Sequence, residues 1–332
     1  MNSQTKESSY RKLFSKIEKE NDFFELEIIK RIKDDYISNH TNDFKKIELL
    51  LNKNNDLACP KCGRKDFLKN GLDKNGTQRY LCPRCHKSFN VASSSLLFSS
   101  KVNIRSWFVF LESLLSGSSM RNACIMAKIS YVTGTQWLNK VFLVLKEYQN
   151  DIVLDRKLYI DETYIHEDQS KIFLFDEIGK IKKVKKEPRG ISRNKICILV
   201  ATDCKKSFAE IVCHGRPQRL KNYEICKKHI VEGATIIGDE DTSLTFTVNK
   251  MNLTRRMYKA YTYDAFEALE PIDQLCSRLK FFIDKHRGFK KEKLADYLNL
   301  FIFIDNEKYA LGDLYLVTKK LLKMIFEYKK DE

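Results

Sequence analysis

Cys59-Pro-Lys-Cys62 and Cys82-Pro-Arg-Cys85 are two C-x-x-C knuckles with nineteen residues between them, 63 to 81. Each knuckle puts two thiolates on one side of a tight turn, and two knuckles complete a tetrahedral four-sulfur site. The sequence between them carries Asn70-Gly71 and Asn75-Gly76 turn signals and a short strand, Gln78 to Leu81. The pattern predicts a zinc ribbon whose structural Zn²⁺ is held by Cys59, Cys62, Cys82 and Cys85. A thiol redox pair and an iron site are the competing readings, and the duplicated spacing and lysine-rich surroundings argue against both. His86 is adjacent, but a fifth ligand is not needed. The metal would fold the module and do no chemistry, leaving Lys61, Arg64, Lys65, Lys69, Arg79, Arg84 and Lys87 to face phosphate.

The charge is unevenly spread. The formal net charge is +16 over 332 residues. Residues 58–98 hold 8 basic and 2 acidic side chains and residues 99–150 hold 6 and 2, whereas residues 1–57 balance at 11 and 11. A general solubility charge would be even, so this concentration predicts a nucleic-acid partner. The other six cysteines are scattered among apolar residues, as Cys197 is in KICILVA, which fits buried thiols in a reducing compartment. The N-terminal MNSQTKESSYRKLF lacks the apolar core of a signal peptide. No apolar run approaches the ~18 residues of a membrane span. Secretion and membrane insertion are not expected.

Periodicity divides the rest. Residues 1–57 read as an amphipathic helical lead-in, and residues 58–92 contain the ribbon. Residues 99–150 read as three helices. One runs from Ile104 to Gly117, the second is MRNACIMA capped by Ser118 or Ser119, and the third spans Val132 to Leu145. This suits a helix-turn-helix with Tyr131, Thr133, Thr135, Gln136 and Asn139 exposed on the third helix. A plain three-helix packing unit is the alternative. From 151 onward strands alternate with helices: Leu158–Ile165, Ile196–Thr202, Phe208–Cys213 and Thr235–Gly238, with a helix over Lys221 to Val231. The expected class is α/β, a mixed sheet with flanking helices, occupying residues 151–300 and followed by a C-terminal helical segment over 301–332. The basic stretch Lys180 to Arg193 should be a loop or hairpin.

Three acids stand out in this half. In KLYIDETYI a buried strand delivers Asp161 near its midpoint. A carboxylate is costly to bury alone, and a metal ion is one partner that offsets the cost. The strand ATIIGD ends on Asp239, and a helix expected to begin at Pro271 carries Asp273. On that helix Ile272, Leu275, Cys276, Leu279, Phe282 and Ile283 form an apolar stripe, opposite Asp273, Ser277, Lys280 and Asp284. Asp241 rivals Asp239, which is preferred because it directly ends the strand. Glu162 and Glu240 are expected to point to the other face. The plain alternative is that Asp161 is an ordinary strand-end acid.

The stretches CPKCG…NGTQRYLCPRCHKSF, YIDETYI, RGISRNKICILVATD, GATIIGDEDTSL and DQLCSRLKFFIDKHRGFKKEKLADYLNLF, in that order over roughly residues 58 to 301, resemble bacterial insertion-sequence transposases of the zinc-ribbon type. The resemblance implies a DDE-class catalytic domain of RNase H-like fold. The first strand, the fourth strand and a late helix would supply its metal positions, Asp161, Asp239 and Asp273. In this group the third position is often Asn followed by Lys on the same helix; here it is Asp273, and Lys280 is kept. The resemblance further implies two Mg²⁺ (or Mn²⁺) ions held by the three aspartates. It implies double-stranded DNA partners (element ends and target), at least a homodimer on DNA, no membrane, and a cytoplasmic, nucleoid-associated location. A catalytically inactive or repurposed zinc-ribbon and helix-turn-helix DNA-binding protein is the alternative function. A metal-dependent nuclease without strand transfer is a third.

Overall fold

The computed structural model describes residues 57–72, 78–90, 93, 95–96, 104–166, 173–175, 181–184, 195–240, 244–259, 262–286 and 291–328. The helical lead-in expected before residue 57, Asp241, and the basic stretch 185–193 lie outside them. The chain divides into two units at Arg105/Ser106.

The first unit contains an antiparallel meander of β1 (Leu68–Leu72), β2 (Gln78–Leu81) and β3 (Ser88–Asn90). Its core is small. Cys59, Cys82 and Phe89 are buried, with Phe67 and Tyr80 packed against them. The two knuckles are built alike. Gly63 N–H donates to Cys59 O and His86 N–H to Cys82 O, each at 2.9 Å. Both residues have a left-handed backbone, with φ of 69° and 53°. His86 therefore stands where the first knuckle uses glycine, and its part is to shape the turn, which fits its exclusion from the ligand set.

The boundary falls in the first turn of α1 (Ile104–Leu115), and the second unit takes in the rest of that helix with α2 (Met120–Met126) and α3 (Tyr131–Leu145). Ser119 caps α2 by accepting from Asn122 N–H, and Ser130 caps α3 by accepting from Thr133 N–H. Trp107 and Trp137 stack at 3.9 Å. Gly134 is where α3 approaches α2 closely, since a Cβ there would fall 2.3 Å from Cys124 Sγ. Tyr131, Thr135, Gln136 and Asn139 are exposed and Thr133 is half-exposed.

The sheet contains β4 (Lys157–His166), β7 (Lys195–Thr202), β8 (Ser207–His214), β9 (Thr235–Asp239) and β10 (Thr254–Tyr258), in the order β10-β9-β4-β7-β8. β4, β7 and β8 are antiparallel, whereas β9 and β10 run parallel to β4. Parallel neighbours need crossover connections, and α4 (Arg219–His229) and α5 (Thr245–Lys250) supply them. β7 is an interior strand, between β4 and β8, and almost wholly buried, which accounts for its continuous apolar run. Between β4 and β7 a small hairpin pairs β5 (Phe173–Phe175) with β6 (Ile181–Val184), so the expected loop or hairpin is partly a hairpin. β10 was not expected: TRRMY is polar, as suits an edge strand.

Three further helices complete the unit: α6 (Tyr263–Lys285), α7 (Leu294–Leu311) and α8 (Leu314–Glu327). α6 packs on β4, β7 and β9, and α7 packs on β8, α3 and α8. α6 corrects one expectation, because it begins two turns before Pro271. Thr262 caps it, accepting from Ala265 N–H at 3.2 Å. Burial of Ala265 continues the apolar stripe of Ile272, Leu275 and Leu279 back past the proline. Packing outweighs the hydrogen bond that Pro271 cannot make.

Side-chain amides close the outer edge of β8. Gln149 binds both N–H and C=O of Ala209, at 2.8 and 3.1 Å, and Asn306 does the same for Ser207, at 2.7 and 3.1 Å. Behind that edge, His229 is fully buried. Its ring nitrogens face Ile152 O and Glu210 Oε1 at 2.8 and 2.9 Å. The His229 hydrogen bond, outweighing burial and aided by Lys228, holds the Glu210 carboxyl down at about 2 from an ordinary 4.5. The resulting stability is fully present above pH 4.5 and is lost as pH falls from there through about 2. Glu210→Ala is expected to cost on the order of 2–3 kcal/mol at neutral pH, read by urea unfolding, because it strands a buried imidazole. An unchanged midpoint would refute this role.

Candidate functional site

Asp239 lies 78 positions after Asp161. The parallel pairing of β4 with β9 has the same offset, Lys157 opposite Thr235 and Tyr159 opposite Ile237. Extended by two residues, that register sets Asp161 beside Asp239 on one face of the sheet. Gly238 keeps the strands close, since a Cβ there would lie 3.0 Å from Ile160 O. α6 covers this face and brings Asp273. Asp161, Asp239 and Asp273 all line one cleft of about 290 Å³, together with Ile160, Thr262, Ala265, Phe266, Leu269 and Ile272.

Asp161 is far more enclosed than Asp273. Its Oδ1 accepts from Glu162 N–H at 2.7 Å, and the Cys276 thiol lies 3.9 Å from its Oδ2. Burial, with added repulsion from Asp239 and Asp273, pushes its carboxyl up to about 6, against the opposing pull of Lys280. Burial also raises Asp273, with Lys280 opposing and Asp239 adding. The same surroundings push the Cys276 thiol up to about 12, burial first and then the charge of Asp161, so it remains a neutral neighbour. Glu162 does point the other way, accepting from Asn222 on α4 at 2.8 Å. The sequence reading missed Thr262, Phe266 and Gly238. A Thr four residues before Phe266 was a legible cap signal; Gly238 alone before Asp239 was not.

An all-oxygen donor set fits Mg²⁺ or Mn²⁺, which keep several of their own waters. The cleft has that room. Among the described residues, the ligand atoms of Cys59, Cys62, Cys82 and Cys85 all lie within 4.8 Å of one another. Cys59 and Cys85 sulfurs are 3.4 Å apart, and those of Cys62 and Cys82 3.5 Å. A tetrahedron with Zn–S bonds of ~2.3 Å has edges of about 3.8 Å, so the cysteines fit zinc closely. Cys59 is drawn down to about 6 despite its burial, by N–H groups of Lys61 and Cys62 and by neighbouring thiols. N–H groups of Cys85 and Arg84 lower Cys82, with burial opposing. Against the pull of the Lys87 N–H, burial and the other three cysteines push Cys85 up to about 11, so the crowded sulfurs ionise unequally in the absence of a cation.

The first and fourth strands of the sheet and the helix after the fifth thus carry the three acids. The fold is RNase H-like. No protein-family model matches the chain, and no curated protein matches it. Solved structures similar to it include the Mos1 strand transfer complex, at 12% identity over 68% of this chain and 78% of that one, with a TM-score of 0.31. The catalytic domain of Mos1 mariner transposase matches at 15% identity over 58% and 93%, with a TM-score of 0.26. The mariner Mos1 paired end complex with Mg matches at 14% over 66% and 79%, with a TM-score of 0.28. The fold assignment rests on the sheet order above and not on these likenesses. No helix among the described residues is long and apolar enough to cross a membrane.

Proposed function

We propose that this chain is a DNA transposase of the zinc-ribbon insertion-sequence type, cutting and joining strands at the acidic cleft. The observation that carries the reading is the convergence of Asp161, Asp239 and Asp273 on one cleft of an RNase H-like sheet. Asp161, Asp239 and Asp273 would hold Mg²⁺ or Mn²⁺. Such ions, when bound, supply Lewis-acid stabilisation of the charge that develops in in-line phosphoryl transfer. The chain's own residues do the positioning. Glu162 N–H fixes the Asp161 carboxylate, and Gly238 lets β9 approach β4. Lys280, about 10 Å along α6 from Asp273, offers a cation to a phosphate beside the site. No protein nucleophile is needed.

The remaining parts follow the same reading. The basic ribbon, residues 58–92, and the helix-turn-helix, residues 99–150, recognise the element's ends. Residues 151–300 form the catalytic domain, and two protomers pair two ends on DNA in the cytoplasm. The alternative is a DNA-binding relative that does not cleave.

Purified protein incubated with the DNA flanking its gene is expected to cut at a terminal repeat and join the new 3′ ends to target, in Mg²⁺ and not in EDTA. Mapping the 3′ ends and sequencing joined products reads both steps. Cuts without joining would leave a nuclease, and binding without cuts in either Mg²⁺ or Mn²⁺ would leave the DNA-binding alternative.

A further inference from the structure

The stripe of α6 that carries Asp273 also carries bare aromatic rings. Tyr263, Phe266, Glu270, Asp273, Ser277 and Lys280 step by three or four residues and share one face. Tyr263 is 82% exposed and Phe266 77%, whereas Ala265, Ile272, Leu275 and Cys276 on the other side are buried. Phe266 lines the same cleft as the three aspartates. Along the helix axis it stands about 10 Å from Asp273, within about three base steps of ~3.4 Å.

Whatever fills this cleft must satisfy two unlike surfaces at once. The carboxylates call for a group that binds through cations, which an apolar protein segment does not supply. The rings call for something flat and apolar on its face. A nucleotide has both parts: a phosphodiester for the metal site and a base for the ring. Inside an intact duplex the base faces are stacked on one another, so away from a terminal pair only an unpaired base can cover Phe266.

We propose that Phe266, backed by Tyr263, is a stacking platform for an unpaired nucleobase beside the phosphate held at the acidic cleft, so that a DNA end enters it frayed. The proposal rests on the reading of the cleft as a DNA site. Phe281 supplies a control. It is 62% exposed on the same helix but does not line the cleft, and the Lys285 ammonium sits 4.3 Å from its ring centre.

The test uses the full chain, with Ca²⁺ in place of Mg²⁺, and two fluorescein-labelled probes: a duplex with a short oligothymidine 3′ tail, and the same duplex blunt. Anisotropy is expected to show tighter binding of the tailed probe. Phe266→Ala should lose that preference, about tenfold or more, while binding the blunt duplex as before. Phe281→Ala should keep it. Phe266→Trp should keep it too, with emission quenched by the tail over the constant background of buried Trp107 and Trp137. A tail preference unchanged in Phe266→Ala, no preference in the wild type, or unquenched Phe266→Trp emission would overturn the platform. Mg²⁺-dependent cleavage persisting beside such a result would remove the platform alone. Stacking observed in a protein that never cleaves would uphold the platform and remove the catalytic reading.

Discussion

Asp161→Asn is expected to abolish metal-dependent strand cleavage and, at the same time, to make the metal-free protein more stable. The loss of activity should be at least about a hundredfold to a thousandfold, because one of the three carboxylates proposed to hold the metal is gone. The gain in stability follows from the enclosure of that carboxylate. Burial and then the charges of Asp239 and Asp273 raise the Asp161 carboxyl to about 6 from an ordinary 3.8. A folded-state value above the unfolded one means that the ionised form is disfavoured by folding. The metal-free wild type therefore loses stability as pH rises from about 4 through 6, by up to about 3 kcal/mol, and stays at the lower level above. Asparagine carries no charge and still offers an oxygen to Glu162 N–H. At pH 8 its melting temperature should exceed that of the wild type by roughly 5 °C, and near pH 4 the two should agree. Adding Mg²⁺ or Mn²⁺ should raise the wild type's melting temperature and leave the variant's nearly unchanged. Matching melting curves at both pH values, or retained cleavage, would sink this account of the cleft.

Zinc removal is expected to unfold the ribbon while leaving the second unit intact. Among the described residues, the core beneath the meander is Cys59, Cys82 and Phe89, with Phe67 and Tyr80 against it. That is too little apolar surface to hold a three-stranded meander, whereas a structural zinc contributes an apparent ~10–16 kcal/mol. Cys82→Ser, or a strong chelator on the wild type, should reduce the metal content from about one zinc per chain to none. Hydrogen exchange should then lose protection at the β2 amides, Tyr80 among them, and keep it along β7. Affinity for DNA should fall and depend less on salt, by about 0.9 in log–log slope for each phosphate that the ribbon no longer neutralises. Persistent protection at Tyr80 without metal would show that the ribbon is held by something else.

Much of this architecture was legible because its signals were local. The knuckles, the strands around Asp161 and Asp239, and the caps Ser119 and Ser130 depend on neighbours a few residues away. β10 was not legible, since Arg255 and Arg256 disguise an edge strand as a loop. The start of α6 was misread because Pro271 suits a first turn, and only the burial of Ala265 beneath the sheet shows why the helix runs through it. At the acidic site the residues could be named, but their adjacency could not. A gap of 78 residues has no meaning until the pairing of Lys157 with Thr235 gives it one. Phe266 went unassigned because its exposure is a property of the packed helix.

That register has an evolutionary reading. Asp161 and Asp239 are neighbours because β4 and β9 lie side by side, and β4 is independently fixed to β7, Asp161 opposite Val200. The described residues between His166 and Lys195 contribute to neither pairing, since they pair with one another as β5 and β6. That stretch can lengthen, shorten or be exchanged in a descendant without moving either carboxylate.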